Sequence, residues 1–290
     1  MASAAETAAY AAAEAERAAA TVPEVTTDAA PPVSADPAAP AAADIAPLPT
    51  AQDPTRVRLH HLNNSRSERI VWLLEELGVE YDVTVHYRSK IGFAPESLKA
   101  INPLGKAPAI ELGGKVYTES GAIVHLLLST FKTPAALEAG PASGQDSVHW
   151  SHFAEGSLML FLQPMVTISR GGEVFASRGI AGMLFGGIVG KFVAWYTGMA
   201  ADNVKNMLQE VEGFLAAHEN FTGGEQLGEG DFMMAYPLNA VLRRGAPAGM
   251  YLGDKTKAWV ERVSARPGYV AAEKRIKDEE EKQRPAETAE

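Results

Sequence analysis

Between residues 57 and 87 the hydrophobic period changes twice, and this limits the fold more than any other feature of the chain. Val57-Arg58-Leu59-His60-His61-Leu62 alternates as a strand does, and the turn-prone Asn63-Asn64-Ser65 follows. Ile70, Val71, Leu73, Leu74 and Leu77 then recur at helical spacing, with Gly78 where a helix end needs left-handed backbone. Tyr81 to Tyr87 alternates again. A strand, a helix and a strand in so short a stretch pair in parallel through a crossover.

The pattern continues in order. A short helix starts near Pro95, and a turn at Asn102 to Lys106 leads into a strand, Ala107 to Leu112. Gly113-Gly114 makes a hairpin with Lys115 to Thr118, and Glu119-Ser120-Gly121 opens a helix through about Phe131. The order β-α-β, α, β-β-α is that of a thioredoxin-like sheet, so residues 56–133 are expected to form an α/β domain. From Gln145 onward the periodicity is helical, over His149–Leu162, Gly186–Ala217, Asp231–Arg243 and Lys255–Val263. This predicts an all-helical domain at 145–272, reached through a Pro-, Ala- and Gly-rich linker at 134–144. The charged tail at 273–290 is expected to fray.

Residues 1–55 hold eight acids, with Arg17 as the only basic and Tyr10 as the only aromatic residue. Such a segment buries too little apolar surface to offset its ordering entropy, so a disordered Ala/Pro-rich acidic tail is expected. Its acidity argues against an organelle transit peptide, which is Arg-rich and acid-poor.

Composition removes several kinds of chemistry. With no cysteine there is no disulfide, no CxxC redox pair and no cysteine nucleophile, so any thiol chemistry uses a bound thiol. A net charge of −10 without clustered Lys and Arg argues against nucleic acid as a partner. The chain has no apolar run of transmembrane length and no signal-peptide pattern at its start, so a cytoplasmic protein without membrane association is expected. His60 and His61 are neighbours in a strand and point to opposite faces, a poor metal site, and no metal is expected.

The run His60 to Leu77, the segment Asn102-Pro103-Leu104-Gly105-Lys106-Ala107-Pro108 and Glu119-Ser120-Gly121-Ala122-Ile123 together resemble the cytosolic glutathione S-transferase family, in its serine-type bacterial and fungal members. His149-Trp150 to Gly156, Gly230-Asp231, Tyr236-Pro237 and Arg266-Pro267-Gly268-Tyr269 look like that family's helical domain. The likeness spans about residues 56 to 275. It implies a thioredoxin-like domain that binds glutathione, an all-helical transferase domain for the second substrate, and a homodimer.

The resemblance assigns roles residue by residue. The family's serine stands four places before an arginine, which selects Ser65 with Arg69 and leaves Ser67 as fallback. The hydroxyl would donate to the glutathione sulfur and favour its thiolate; by itself, a serine before a helix is a cap. Lys106, Ala107, Pro108, Glu119 and Ser120 would hold glutathione. Lys106 would meet the glycyl carboxylate, Ala107 the cysteinyl backbone beside a cis Pro108, and Glu119 with Ser120 the γ-glutamyl end. Taken alone, Pro108 reads equally as an edge-strand proline, Glu119-Ser120 as capping chemistry and Lys106 as a solvated turn residue. Phe153, Ser157, Phe161 and Trp195 are candidates for the second-substrate pocket, although aromatic residues at helical spacing also build cores.

Asp231 reads as a folding residue, with Gly228 where the family has a hydroxyl cap. The implied activity is conjugation of glutathione to small hydrophobic electrophiles. Glutathione-dependent ether cleavage and peroxide reduction use the same thiolate. A non-catalytic ligand-binding module is the alternative of another class, and the joint retention of Ser65, Pro108, Glu119 and Ser120 speaks against it.

Overall fold

The computed structural model describes residues 56–89, 92–131, 144–176, 179–244 and 251–285. The acidic tail expected at 1–55 lies outside them, as does the linker at 134–144 apart from Gly144. The first half is built from β1 (Val57–Leu62), α1 (Glu68–Leu77), β2 (Tyr81–His86), α2 (Glu96–Lys99), β3 (Ala109–Leu112), β4 (Lys115–Thr118) and α3 (Ser120–Thr130). The sheet order is β2-β1-β3-β4. β1 pairs in parallel with β2, while β3 runs antiparallel to both β1 and β4. This is the thioredoxin-like arrangement.

The register decides where chemistry can sit. His60 lies opposite Ala109, and Ala109 opposite Thr118. The turn after β1, the segment before β3 and the segment after β4 therefore leave the sheet at one end.

Helix α1 forms because its apolar residues repeat at helical spacing, and it stops at Gly78, whose φ of 66° an L side chain resists. Seven of its ten residues are buried, since it lies between the sheet and the helical half. That half comprises α4 (Gln145–Phe153), a π-helical stretch Ala154–Leu158, α5 (Met159–Ala176), α6 (Gly179–Ala217), α7 (Glu229–Arg244), α8 (Asp254–Ser264) and α9 (Pro267–Lys282). The first of these helices begins earlier than the sequence suggests, and α6 starts at Gly179 instead of Gly186. Each glycine costs a helix about 1 kcal/mol, which good helix formers elsewhere in a 39-residue helix outweigh.

A larger correction concerns the tail. Residues from Glu273 do not fray as a block, because α9 runs unbroken to Lys282. Tertiary contacts hold it: Arg266 grips Glu76 of α1 with two bonds of 2.7 and 2.8 Å, and Tyr269 packs edge-on against Trp72. Gln283 bonds the β2 backbone at Val83 and Val85. A charge run read from sequence as solvated is one face of a docked helix.

Arg69 joins the two halves. Its side chain is 0% exposed, its Nη1 lies 2.8 Å from Glu155 Oε1 and 3.1 Å from Met233 Sδ, and its guanidinium sits 5.1 Å from the Tyr236 ring centre. Burial lowers its pKa and the Glu155 carboxylate opposes that. Arg66 grips the same carboxylate from the surface, at 2.8 Å.

Asp231 is also fully buried, and its carboxylate accepts the backbone N–H of Phe221 at 2.9 Å and of Gly228 at 3.0 Å. The acid half of a capping box survives although Gly228 has no hydroxyl to return. Burial pushes the Asp231 carboxyl up to about 7, against the pull of the two amide donors.

Two stability experiments follow. Glu155→Ala leaves Arg69 as an unpaired buried charge and is expected to cost about 3 to 5 kcal/mol in denaturant unfolding. Arg66→Ala should cost under about 1 kcal/mol, because Arg66 is a surface partner. For Asp231 the folded pKa lies above the unfolded value, so its contribution is complete below the unfolded pKa and is lost as pH rises through about 7. The stability of wild type relative to Asp231→Asn should therefore fall between about pH 4 and about pH 7, the two ends of that window.

Candidate active site

The turn leaving β1 is shaped by Asn64, whose φ of 51° is left-handed. Asparagine accepts this conformation more readily than most residues. Ser65 follows at 4% exposure, and Ser67 at 0% precedes the first residue of α1. The Ser65 hydroxyl accepts the Ser67 backbone N–H at 3.3 Å, as a capping hydroxyl does, and lies 2.7 Å from Ser67 Oγ. Ser67 Oγ in turn lies 2.8 Å from His61 Nδ1. The positive end of the α1 dipole makes this turn favourable for an anion.

The second locus is the segment before β3. The Ala107–Pro108 peptide bond is cis. Asn102 braces the turn, donating from Nδ2 to Lys106 O at 2.9 Å and accepting the Leu104 N–H at 3.2 Å. Lys106 is exposed, Ala107 half-buried and Pro108 buried. This leaves the Lys106 ammonium in solvent at the same end of the sheet.

The third locus is Glu119, which has φ 67° and ψ 119°, a conformation costing a non-glycine residue about 1 to 3 kcal/mol. Its exposed side chain stands at the entrance of α3, and Ser120, buried to 7% exposure, is the helix's first residue. Strain of that size is held by surrounding structure, and here it sits beside a helix N-terminus at the same sheet end. Residues 65, 67, 106–108 and 119–120 thus leave the sheet together.

The pocket candidates all lie in the helical half. Phe153 belongs to the helical core, with its ring 4.9 Å from Trp150 and 5.9 Å from His149. Helical spacing placed it correctly on a buried face but could not say which space that face closes. Ser157, in the π-helical stretch, and Phe161, on α5, are half-buried. Trp195 is 62% exposed and lies beside Phe192 on α6, on a stripe with Ile188 and Met199. A cleft of about 310 Å³ exists elsewhere, lined by Asn64, Arg69, Tyr236, Tyr269, Glu273 and Glu280 among others. Ser65 and the other residues expected at glutathione are not in its wall.

Sequence reasoning weighed His60 and His61 only as metal ligands and missed the networks they form. His60 Nε2 lies 2.8 Å from Glu111, its Nδ1 3.1 Å from His86 Nε2, and His86 Nδ1 2.9 Å from the Ser97 hydroxyl. Burial lowers both pKa values, that of His86 to about 4 with the charges of His60 and His61 adding to the effect. On the other face, His61 Nε2 lies 3.1 Å from Glu280 of α9. The pairing of His61 with Ser67 is local, and a histidine six residues before a helix-start serine was a usable signal. Glu280 is 219 residues away and gave none. Among the described residues no cluster of three or more acidic or histidine side chains is placed for a metal ion, and no helix is long and apolar enough to cross a membrane.

Comparison with known proteins gives a consistent picture. Residues 57–129 match the family model for the glutathione S-transferase N-terminal domain. The chain is 34% identical over 227 residues to glutathione S-transferase 3 of Schizosaccharomyces pombe, covering 76% of this chain and 88% of that one. It is 27% identical over 231 residues to glutathione S-transferase 1 of Saccharomyces cerevisiae, covering 76% and 95%. Among solved structures it resembles a glutathione S-transferase from Actinobacillus pleuropneumoniae, at 29% identity and a TM-score of 0.56, over 80% of this chain and 97% of that one.

Proposed function

Because the chain belongs to the glutathione S-transferase family, we propose that it is a transferase of the serine type, which binds glutathione at the functional end of its sheet and joins the thiolate to small hydrophobic electrophiles. The observation that carries this reading is the register His60, Ala109, Thr118, which collects three separate loops at one place. Ser65 meets the sulfur, the Ala107 backbone beside cis Pro108 meets the cysteinyl unit, and Glu119 with the start of α3 meets the γ-glutamyl end. Lys106 reaches the glycyl carboxylate from solvent.

The chemistry needs a thiolate near neutral pH. A thiol with an ordinary pKa of about 8.5 must be lowered by roughly two units, which is about 2.7 kcal/mol. One hydrogen bond to a charged acceptor gives about 1.5 to 3 kcal/mol, and the α1 dipole adds about 0.3 to 1 kcal/mol. Together they span about 1.8 to 4 kcal/mol, a range that includes the amount required.

The same reading makes the protein a homodimer. Ile188, Phe192, Trp195 and Met199 are spaced by four, three and four residues along α6, and all are exposed. A continuous apolar stripe of this kind on a soluble helix fits a protein partner.

Two experiments test these points. The ultraviolet absorbance of bound glutathione thiolate should titrate near neutral pH in wild type and at least about one pH unit higher in Ser65→Ala; a wild type that binds no thiolate contradicts the reading. Trp195→Glu should halve the molar mass seen in analytical ultracentrifugation, and an unchanged mass removes the stripe from the interface.

A further inference from the structure

A chain of four polar side chains runs from the proposed sulfur site into the protein. Ser65 Oγ lies 2.7 Å from Ser67 Oγ, Ser67 Oγ 2.8 Å from His61 Nδ1, and His61 Nε2 3.1 Å from Glu280 Oε1. Its inner members are closed off, with Ser67 at 0% and His61 at 1% exposure, and Ser65 keeps 4%. From this geometry, and resting on the functional reading above, we propose that Glu280 and His61 act through Ser67 and Ser65 as a relay that accepts the proton of the glutathione thiol.

The direction of each bond follows from the chemistry of the groups. An ionised carboxylate only accepts, so His61 Nε2–H donates to Glu280. Neutral His61 then offers the Nδ1 lone pair, and Ser67, with a single proton, donates to it. Ser67 oxygen is left to accept the Ser65 proton. In this resting state the Ser65 hydroxyl points inward and is not directed at a sulfur. Protonating His61 Nδ1 reverses every bond: Nδ1–H donates to Ser67, Ser67 to Ser65, and the Ser65 proton turns outward.

Thiol binding at Ser65 drives that reversal. The S–H bond breaks as its proton passes to Ser65 Oγ, the Ser65 proton passes to Ser67, and the Ser67 proton forms the Nδ1–H bond. Each serine ends with one proton, the sulfur is a thiolate facing the Ser65 O–H, and the imidazolium charge is matched by Glu280. No electrons are transferred.

The surroundings of His61 agree with this role. Glu280 faces it from α9, and that helix end is fixed by Gln283 on the β2 backbone and by the Tyr87 hydroxyl bonded to Glu280 O. His86 is the titratable neighbour from β2, and burial keeps it neutral near pH 7. Ser67 is the contact from the start of α1. Glu280 also lines the cleft between α1, α7 and α9, so the carboxylate end of the relay has an opening of its own. His61 and Glu280 are positioning residues, since only Ser65 meets the sulfur.

Proton release separates the relay from simple stabilisation by Ser65. The full chain would be titrated with glutathione at neutral pH in buffers of different ionisation heat, with S-methylglutathione as the baseline lacking a thiol proton. Thiolate would be read by absorbance in the same samples. Wild type should form thiolate while releasing clearly less than one proton for each thiolate, because His61 keeps it. Glu280→Gln should raise the thiolate midpoint by about one pH unit, a tenfold change, and should release protons one for one with thiolate. Its glutathione affinity at high pH should stay unchanged. His61→Gln should behave in the same way, and if that buried substitution does not fold, Glu280→Gln alone decides the matter. One-for-one release in wild type, or a Glu280→Gln midpoint equal to wild type, overturns the relay and leaves the transferase reading intact. A wild type without thiolate overturns both.

Discussion

Everything at the functional end of this protein depends on how α1 is held. Trp72, near its middle, has its ring 4.5 Å from Phe232 of α7 and 5.4 Å from Tyr269 of α9, and its Nε1–H donates to Glu76. The same Glu76 carboxylate receives both arms of Arg266, and two helical turns back Arg69 is buried against Glu155. Apolar burial gives this helix its stability, at about 1.5 to 3 kcal/mol for each large side chain removed from water. The charged pairs fix its rotation and its depth, because a bidentate arginine tolerates little displacement. The turn at Asn64 and Ser65 is attached directly to the start of α1, so that rotation sets where the hydroxyls lie.

The site is a set of three loops with different physical characters. A left-handed asparagine and a helix start form the first, a cis proline braced by Asn102 the second, and a strained Glu119 before a helix start the third. Each feature alone is common. Their convergence comes from three strands in register, which is why the sheet and no single motif carries the functional reading. The buried histidines on the two faces of β1 then differ in role. His60 closes a network with His86 and Glu111, while His61 is the link between the serine turn and α9.

Local patterns made the first half readable from sequence. Strand alternation, Gly78 and the Gly113-Gly114 hairpin are encoded within a few residues of what they determine, and the observed strands fall inside the expected segments. Ser65, Ser67, Lys106, Pro108, Glu119 and Ser120 were candidates through the family resemblance, since position at an element boundary alone reads as capping or turn chemistry. Long-range features were not readable. The charge pattern of Glu273 to Lys282 suits a solvated segment, and contacts with distant residues, among them Trp72, Glu76, His61 and the β2 edge, turn it into a docked helix. Phe153 shows the same limit from the apolar side, since periodicity identifies a buried face and does not say whether that face meets a core or a substrate. The bond between His61 and Glu280 has no counterpart in any local pattern.

The proposed binding mode puts glutathione sulfur at Ser65, at the outer end of this turn. A crystal structure of the glutathione complex tests it most directly. Sulfur is expected within hydrogen-bonding reach of Ser65 Oγ, at roughly 3.3 Å, with the γ-glutamyl carboxylate at the amide of Ser120 and the cysteinyl backbone paired with Ala107. Sulfur held instead by the exposed Asn64 side chain, with Ser65 Oγ still turned toward Ser67, would contradict it and return Ser65 to the role of a helix cap.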